Sequence, residues 1–226
     1  MLGIIGILAA ALFPAITMAV ELARSTSCKS NLRQMAVAAH AYACDNDDEL
    51  PPSYIHNYAT QKTTSWEDIL WGYDTRSATS EKIHQCPSFK GSANWSGDRY
   101  TGYNYNSSYL GAPRFANGPK MPGMPRSALV GEIKNPDHCA MFGDGEYESG
   151  ANKFMRSPFP GTLDADGGLA IAGTQGFRHR GSTNVAFADG SVRSLKTRHV
   201  KTVGRNAVPA KNCGFLSEDN SMYDLE

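Results

Sequence analysis

Residues 1–20 (MLGIIGILAAALFPAITMAV) form an apolar run without a single charged side chain. Such a run is about the minimum for a helix crossing a hydrocarbon layer of about 30 Å. No Lys or Arg precedes it and nothing marks a cleavage behind it, so it does not read as a secretory signal peptide. A buried core helix is the blander reading, but this run is apolar on every face. Pro14 is expected to kink or loosen the helix, because it lacks an N–H and crowds the carbonyl of Ala10. Beyond Val20 the pattern becomes amphipathic: Cys28, Leu32, Met35, Ala39 and Tyr42 recur at helical spacing, with Glu21, Arg24, Lys29, Arg33 and Gln34 off the stripe. Asp45-Asn46-Asp47-Asp48 and then Leu50-Pro51-Pro52 end the helix. One helix from residue 2 to about 44 would be about 65 Å long. A head built from the rest has a radius of gyration of about 16 Å, so much of the helix must protrude.

From Ser53 onward Gly, Pro, Asn and Ser are frequent and the apolar runs are short. Trp66–Trp71 reads as a short helix or a strand, residues 111–127 as loop, and Ala140-Met141-Phe142 as a strand ending at Gly143. Asn184–Arg193 reads as a two-residue hairpin with a type I′ turn at Asp189-Gly190, which would set Phe187 opposite Val192. The expected fold is α+β. Its first part, 1–45, is a helix with an apolar half (1–20) and an amphipathic half (21–45). Its second, 46–226, is a small antiparallel sheet with long loops, laid on the helix stripe.

Composition adds exclusions. Hydrophobic residues make up 41% of the chain, too many for disorder, and 22 basic residues balance 22 acidic ones. That balance argues against nucleic acid as a partner. The charges are unevenly placed: between 178 and 211 stand Arg178, Arg180, Arg193, Lys196, Arg198, Lys201, Arg205 and Lys211 against the single acid Asp189. Unlike patches on one subunit suit a head-to-tail contact that repeats without closing.

The stretch IIGILAAALFPAI followed by ARSTSCKSNLRQMAVAAHAYACDNDDELPP resembles the N-terminal region of type IV pilins and secretion pseudopilins. The likeness is strongest to a bacterial branch with a Cys-x-x-Asn-Leu segment, a Pro-Pro after the helix and a C-terminal His-x9-Asp-Gly motif, here His179, Asp189 and Gly190. Cys86-Pro87-Ser88 and Tyr103-Asn104-Tyr105-Asn106 resemble the middle of that branch. The prepilin leader, its cleavage glycine and the Glu near the mature start have no counterpart in this sequence. The resemblance implies a type IV pilin-like fold and a structural subunit of a filament or secretion pseudopilus. It would be held in the bacterial inner membrane before assembly, then placed in a periplasmic or extracellular filament. Ile4, Ile5, Ile7, Leu8, Leu12, Phe13 and Pro14 would lie in the filament core. The partners implied are further copies of the chain, the inner-membrane pilus or secretion assembly machinery, and the membrane. The alternative is a membrane-anchored surface module that binds calcium or a glycan without polymerising.

Outside the cytoplasm, five cysteines suggest disulfides with one thiol left over. Cys28, on the inward stripe, is expected to pair with Cys86, and Cys139 with Cys213 is a second candidate pair; Cys44 falls off the stripe, and in a cytoplasmic head all five would be reduced thiols. Asp144-Gly145-Glu146 and Asp164-Ala165-Asp166-Gly167-Gly168 resemble calcium loops, so Asp144, Glu146, Asp164 and Asp166 are candidate ligands and calcium the candidate cofactor. Neither is a complete EF-hand, and acidic turns ordinarily face water. Asn94-Trp95-Ser96 and Asn106-Ser107-Ser108 match the glycosylation pattern. His179 with Asp189 could form an acid–base pair, but no nucleophile motif accompanies them and Asp189 already has a turn role. A structural histidine near the hairpin, and no enzyme, is the expectation.

Overall fold

The computed structural model describes residues 2–71, 85–91, 102–118, 123, 125–147, 152–164, 174–200 and 210–226, without the side chains of 2–9, 11 and 71. Helix α1 runs over Leu2–Cys44, helical through Pro14, where the Thr17 hydroxyl donates to the Pro14 carbonyl at 2.8 Å. It ends in Asp45–Asp48, where Asp47 and Asp48 take positive φ. The stripe Cys28, Leu32, Met35, Ala39 and Tyr42 is buried as expected, and Cys44 is exposed. Ala36, Ala38 and Ala43 are buried beside it; side chains this small let a helix sit close on a sheet. Among the described residues, no helix is long and apolar enough to cross a membrane; the side chains of 1–9 and 11, on which that expectation rests, lie outside them.

The head is β-rich. Strands β1 (Tyr54–Asn57) and β2 (Lys62–Ser65) form a hairpin, and helix α2 (Trp66–Trp71) settles the short-helix-or-strand alternative as helix. Strand β3 (Asn104–Asn106) is followed by β4 (Pro113–Ala116), which pairs parallel with β1 at the edge of a three-stranded sheet. The expectation of loop throughout 111–127 is corrected there: proline is tolerated at the first position of an edge strand, where its missing N–H leaves no ladder bond empty. Strands β5 (Ala140–Gly143), β6 (Phe154–Met155), β7 (Gln175–Gly176), β8 (Thr183–Phe187), β9 (Val192–Leu195) and β10 (Cys213–Gly214) complete the head. The five-stranded sheet has the order β6-β3-β5-β8-β9; its centre is antiparallel, but β6 joins β3 in parallel, so the head is mixed rather than wholly antiparallel.

The five-stranded sheet buries both faces. One face meets α1: Phe142 stacks on Tyr105 at 4.9 Å between ring centroids, Trp66 packs beside them, and Ala186 and Ala188 contact the helix cluster. His40 Nε2 lies 2.8 Å from the Ala188 carbonyl, tying the helix to the end of β8. The other face, with Ala140, Val185 and Phe187, packs on Leu216 and Tyr223 of the C-terminal segment.

The β8–β9 hairpin corrects the expected register. Val192 faces Ala186, not Phe187. The connection is Ala188-Asp189-Gly190, closed by Gly190 N–H to Phe187 O at 2.9 Å and Phe187 N–H to Ser191 O at 2.9 Å. Only Gly190 takes positive φ, +82°, so this is a type I turn with a glycine bulge. The extra residue changes parity. Phe187 therefore joins the C-terminal cluster while Val192 packs on the helix cluster.

Candidate functional site

Period-two alternation places the site. Tyr105, Phe142 and Ala186 form a row across β3, β5 and β8 facing α1. Two residues along each strand, on the same face, Tyr103, Asp144 and Asn184 form the next row. On the helix one turn back from Leu32 stands Cys28. Cys28 Sγ lies 3.0 Å from Asp144 Oδ1 and 3.3 Å from Cys86 Sγ. Cys86 opens a turn with Pro87 at its second position, closed by Phe89 N–H to Cys86 O at 3.0 Å. His179 comes from a two-residue turn ahead of β8. Arg180 and Gly181 both take positive φ, +55° and +78°, and His179 and Ser182 exchange both backbone hydrogen bonds. The type I′ geometry expected at Asp189-Gly190 is found here, and it sends His179 Nε2 to 3.5 Å from Cys86 Sγ and 3.4 Å from Asp144 Oδ2.

Arg178 binds the cluster together. Its Nε donates to Cys86 Sγ at 3.3 Å, Nη2 lies 3.2 Å from Asp144 Oδ1 and also donates to the Gly102 carbonyl, and Nη1 reaches Glu146 at 3.2 Å. Asn184 N–H donates to Asp144 Oδ2 at 2.7 Å. Asn31 Nδ2 donates to the Tyr103 hydroxyl at 3.2 Å beside the cluster. Cys28, Cys86 and Asp144 are wholly buried and His179 nearly so. A cleft of about 310 Å³, lined by Ser25, Lys29, His179, Arg180 and Lys196 among others, reaches the edge of the site.

The electrostatics follow from burial against partners. The hydrogen bond from Cys28 draws the Cys86 thiol down to about 5, with Arg178 adding to that against burial. Burial pushes the Cys28 thiol well up, and the bond to Cys86 pushes it the same way. Burial alone would lower His179, but its bonds to Asp144 and Cys86 raise it to about 9. Asp144 stays below its ordinary value despite complete burial, because Arg178 and His179 face it.

All five cysteines are free thiols, which corrects the expected disulfides. Cys28 and Cys86 are brought together, yet at 3.3 Å they remain well beyond a bond of about 2.05 Å. Cys139 Sγ faces the Tyr223 carbonyl and Cys213 lies in β10 opposite Gly176, with no bond between them.

The acidic candidates separate. Asp144 and Glu146 both face Arg178, so neither is an open calcium carboxylate. Asp164 is ion-paired with Arg156 and accepts from Ser108 and the Gly161 N–H, while Asp166 lies outside the described residues. His179 and Asp189 are not an acid–base pair: β8 separates them by about 17 Å of strand. The Asp189 side chain instead accepts from Ser191 N–H at the exposed turn. Gly190 supplies the turn. Asn106 is buried, donating to the Ala140 and Tyr223 carbonyls at 2.9 and 2.7 Å, so its sequon offers no acceptor to a glycan; Asn94 lies outside the described residues. Arg178 leaves the basic surface strip for the core. Leu12 and Phe13 are exposed with Pro14 on the helix, and the side chains of Ile4, Ile5, Ile7 and Leu8 lie outside the described residues.

A nucleophilic role for Cys86 meets two geometric objections. It is fully buried, and the His179 nitrogen that approaches Asp144 is the one that approaches Cys86, whereas a triad uses both ring nitrogens. His179 Nδ1 has no hydrogen-bond partner. Residues 18–104 match the protein family described as "Protein of unknown function (DUF1559)", a span that includes Cys28 and Cys86 and ends before Asp144 and His179. No curated protein and no solved structure matches the chain.

Proposed function

We propose that the chain is a structural, pilin-like subunit that polymerises through α1 into a filament. The observation that carries this reading is the division of one continuous helix. From Cys28 onward its stripe is buried in the head, whereas Leu12, Phe13, Ile16, Met18 and Leu22 stand 49–72% exposed. A helical rod that leaves side chains this large half or more in water gains about 1–2 kcal/mol for each one a neighbour covers. Apolar rods packed side by side, with the heads outward, provide that cover. The resemblance of the N-terminal region to pilins points the same way. Before assembly the same surface would sit in a bacterial inner membrane, delivered to the filament by pilus or secretion machinery, and the finished polymer would lie outside the cytoplasm. In this reading the head has no catalytic task.

The test is electron microscopy of the full-length chain after detergent removal. Filaments that disappear when Phe13 and Ile16 are both changed to Ser support the proposal. Monodisperse particles from the unaltered chain, over a range of concentrations and with the N-terminus verified by mass, would refute it.

A further inference from the structure

Nothing in the filament reading requires two thiols, a carboxylate and an imidazole to share one dry volume. Cys28, Cys86, Asp144 and His179 each offer one donor atom, and these atoms all lie within 4.8 Å of one another. They come from four distant stretches of chain: the helix, the Cys-Pro turn, the end of β5 and the turn before β8. Tetrahedral zinc with Zn–S of about 2.3 Å and Zn–N or Zn–O of about 2.0–2.1 Å has ligand-to-ligand edges of roughly 3.3–3.8 Å. Cys28 Sγ stands 3.0 Å from Asp144 Oδ1 and 3.3 Å from Cys86 Sγ, and His179 Nε2 stands 3.5 Å from Cys86 Sγ and 3.4 Å from the other Asp144 oxygen, Oδ2, so the donors need shifts of only a few tenths of an ångström to about an ångström to reach those edges. We propose that Cys28, Cys86, Asp144 and His179 form a structural zinc site that bolts α1 to the head.

The donor set selects the ion. Two thiolates are too soft for calcium or magnesium, while thiolate, imidazole and carboxylate in tetrahedral array suit zinc. All four positions belong to the protein, as in structural rather than catalytic zinc sites. The outer contacts fix the ligands: Arg178 Nε holds Cys86 Sγ at 3.3 Å, and Asn184 N–H holds Asp144 Oδ2 at 2.7 Å. The charges are complementary as well. Two thiolates and a carboxylate face a dication and the Arg178 guanidinium, which also reaches Glu146 at the rim. The cleft lined by Ser25, Lys29, His179 and Ser182 gives the ion a route to the His179 side.

The test uses the full chain in detergent, purified under reducing conditions without chelators. Elemental mass spectrometry should find one zinc per chain. Replacing it with Co²⁺ should give the near-ultraviolet thiolate-to-cobalt absorption and the intense visible bands of a tetrahedral centre. Cys28→Ser and His179→Ala should reduce the zinc to near none, while Cys44→Ser, off the site, should retain it. The Co²⁺ spectrum of the unaltered chain reads thiolate ligation even where a variant does not fold. A silent Co²⁺ spectrum with no retained zinc would overturn the proposal, as would an intact mass lacking a pair of hydrogens that peptide mapping places between Cys28 and Cys86. Zinc kept at full occupancy in both site variants would do the same.

Discussion

Two leucines on one helix separate packing within the subunit from packing between subunits. Leu32 is fully buried under the sheet and Leu22 is 63% exposed ten residues earlier. Leu32→Ala removes a core side chain and leaves a cavity, at a cost of about 3–5 kcal/mol. For a head of this size that lowers the melting temperature by about 6–20 °C. Leu22→Ala removes the same atoms from a surface, so the head should melt within about 0.5 kcal/mol of the unaltered chain. Its effect should appear in assembly. Burying the exposed two-thirds of a leucine is worth about 1–2 kcal/mol, so the critical concentration for filaments should rise about 5–30-fold. Calorimetry in detergent reads the first quantity and sedimentation after detergent removal the second. If Leu22→Ala lowers the melting temperature as far as Leu32→Ala, the Leu22 side chain is held by its own head and the reasoning fails. An unchanged critical concentration would equally remove Leu22 from any filament contact.

Other outcomes follow from the head alone. Lys153 and Glu67 are a buried ion pair, so Lys153→Met should cost about 3–5 kcal/mol in urea melts, and adding Glu67→Gln should recover part of it. Asn106→Ala strips donors from two buried carbonyls and should lower stability by about 2–4 kcal/mol by the same measurement. Gly190→Ala meets no neighbouring atom but is forced to φ +82°, so thermal melts should show a loss of only about 1 kcal/mol. The Arg126 guanidinium, with the Leu129 N–H, holds Glu132 down at about 2 from an ordinary 4.5. A lowered carboxyl stabilises above its unfolded value and loses that contribution as pH falls from about 4.5 to 2. NMR titration should find Glu132 near 2, moving back toward 4.5 in Arg126→Ala; no movement would exclude the pair as the cause.

Local pattern carried far along this chain. The helix limits, the stripe from Cys28 to Tyr42 and the strand at Ala140–Gly143 are all set by short-range periodicity and by Pro, Gly and Asp punctuation, and all could be read directly. The turns were harder, since both Arg180-Gly181 and Asp189-Gly190 can close a hairpin. Asp189-Gly190 carries the stronger local signal, yet the two-residue turn forms at Arg180-Gly181, where His179 must enter the core. Strand β4 was hidden because parallel pairing with β1 is a long-range choice that the Pro- and Gly-rich sequence around Pro113 does not announce. Each site residue drew notice in the sequence: Cys28 and Cys86 rightly as neighbours, though as a disulfide, but His179 with Asp189 and Asp144 with Asp164 in the wrong company. What unites them is strand register beneath one turn of helix, which no spacing along the chain expresses.

Cys28 is the first fully buried position met along the described side chains of α1. The helix touches the head a little earlier, where the Ser88 hydroxyl donates to Glu21 and Asn184 Nδ2 to Ser25, but Cys28 is where it first enters the dry core. A pull along the helix axis is not spread over the whole stripe; past those peripheral contacts it meets the core first at this sulfur and through it at Asp144 and Cys86. Beyond it the contacts of Leu32, Met35 and Ala39 with the sheet can be peeled one turn at a time, whereas the cluster at Cys28 joins four chain segments and must give way together. The tensile strength of the joint is thus set by one turn of helix, and rupture there would free the rod before it unfolds the sheet.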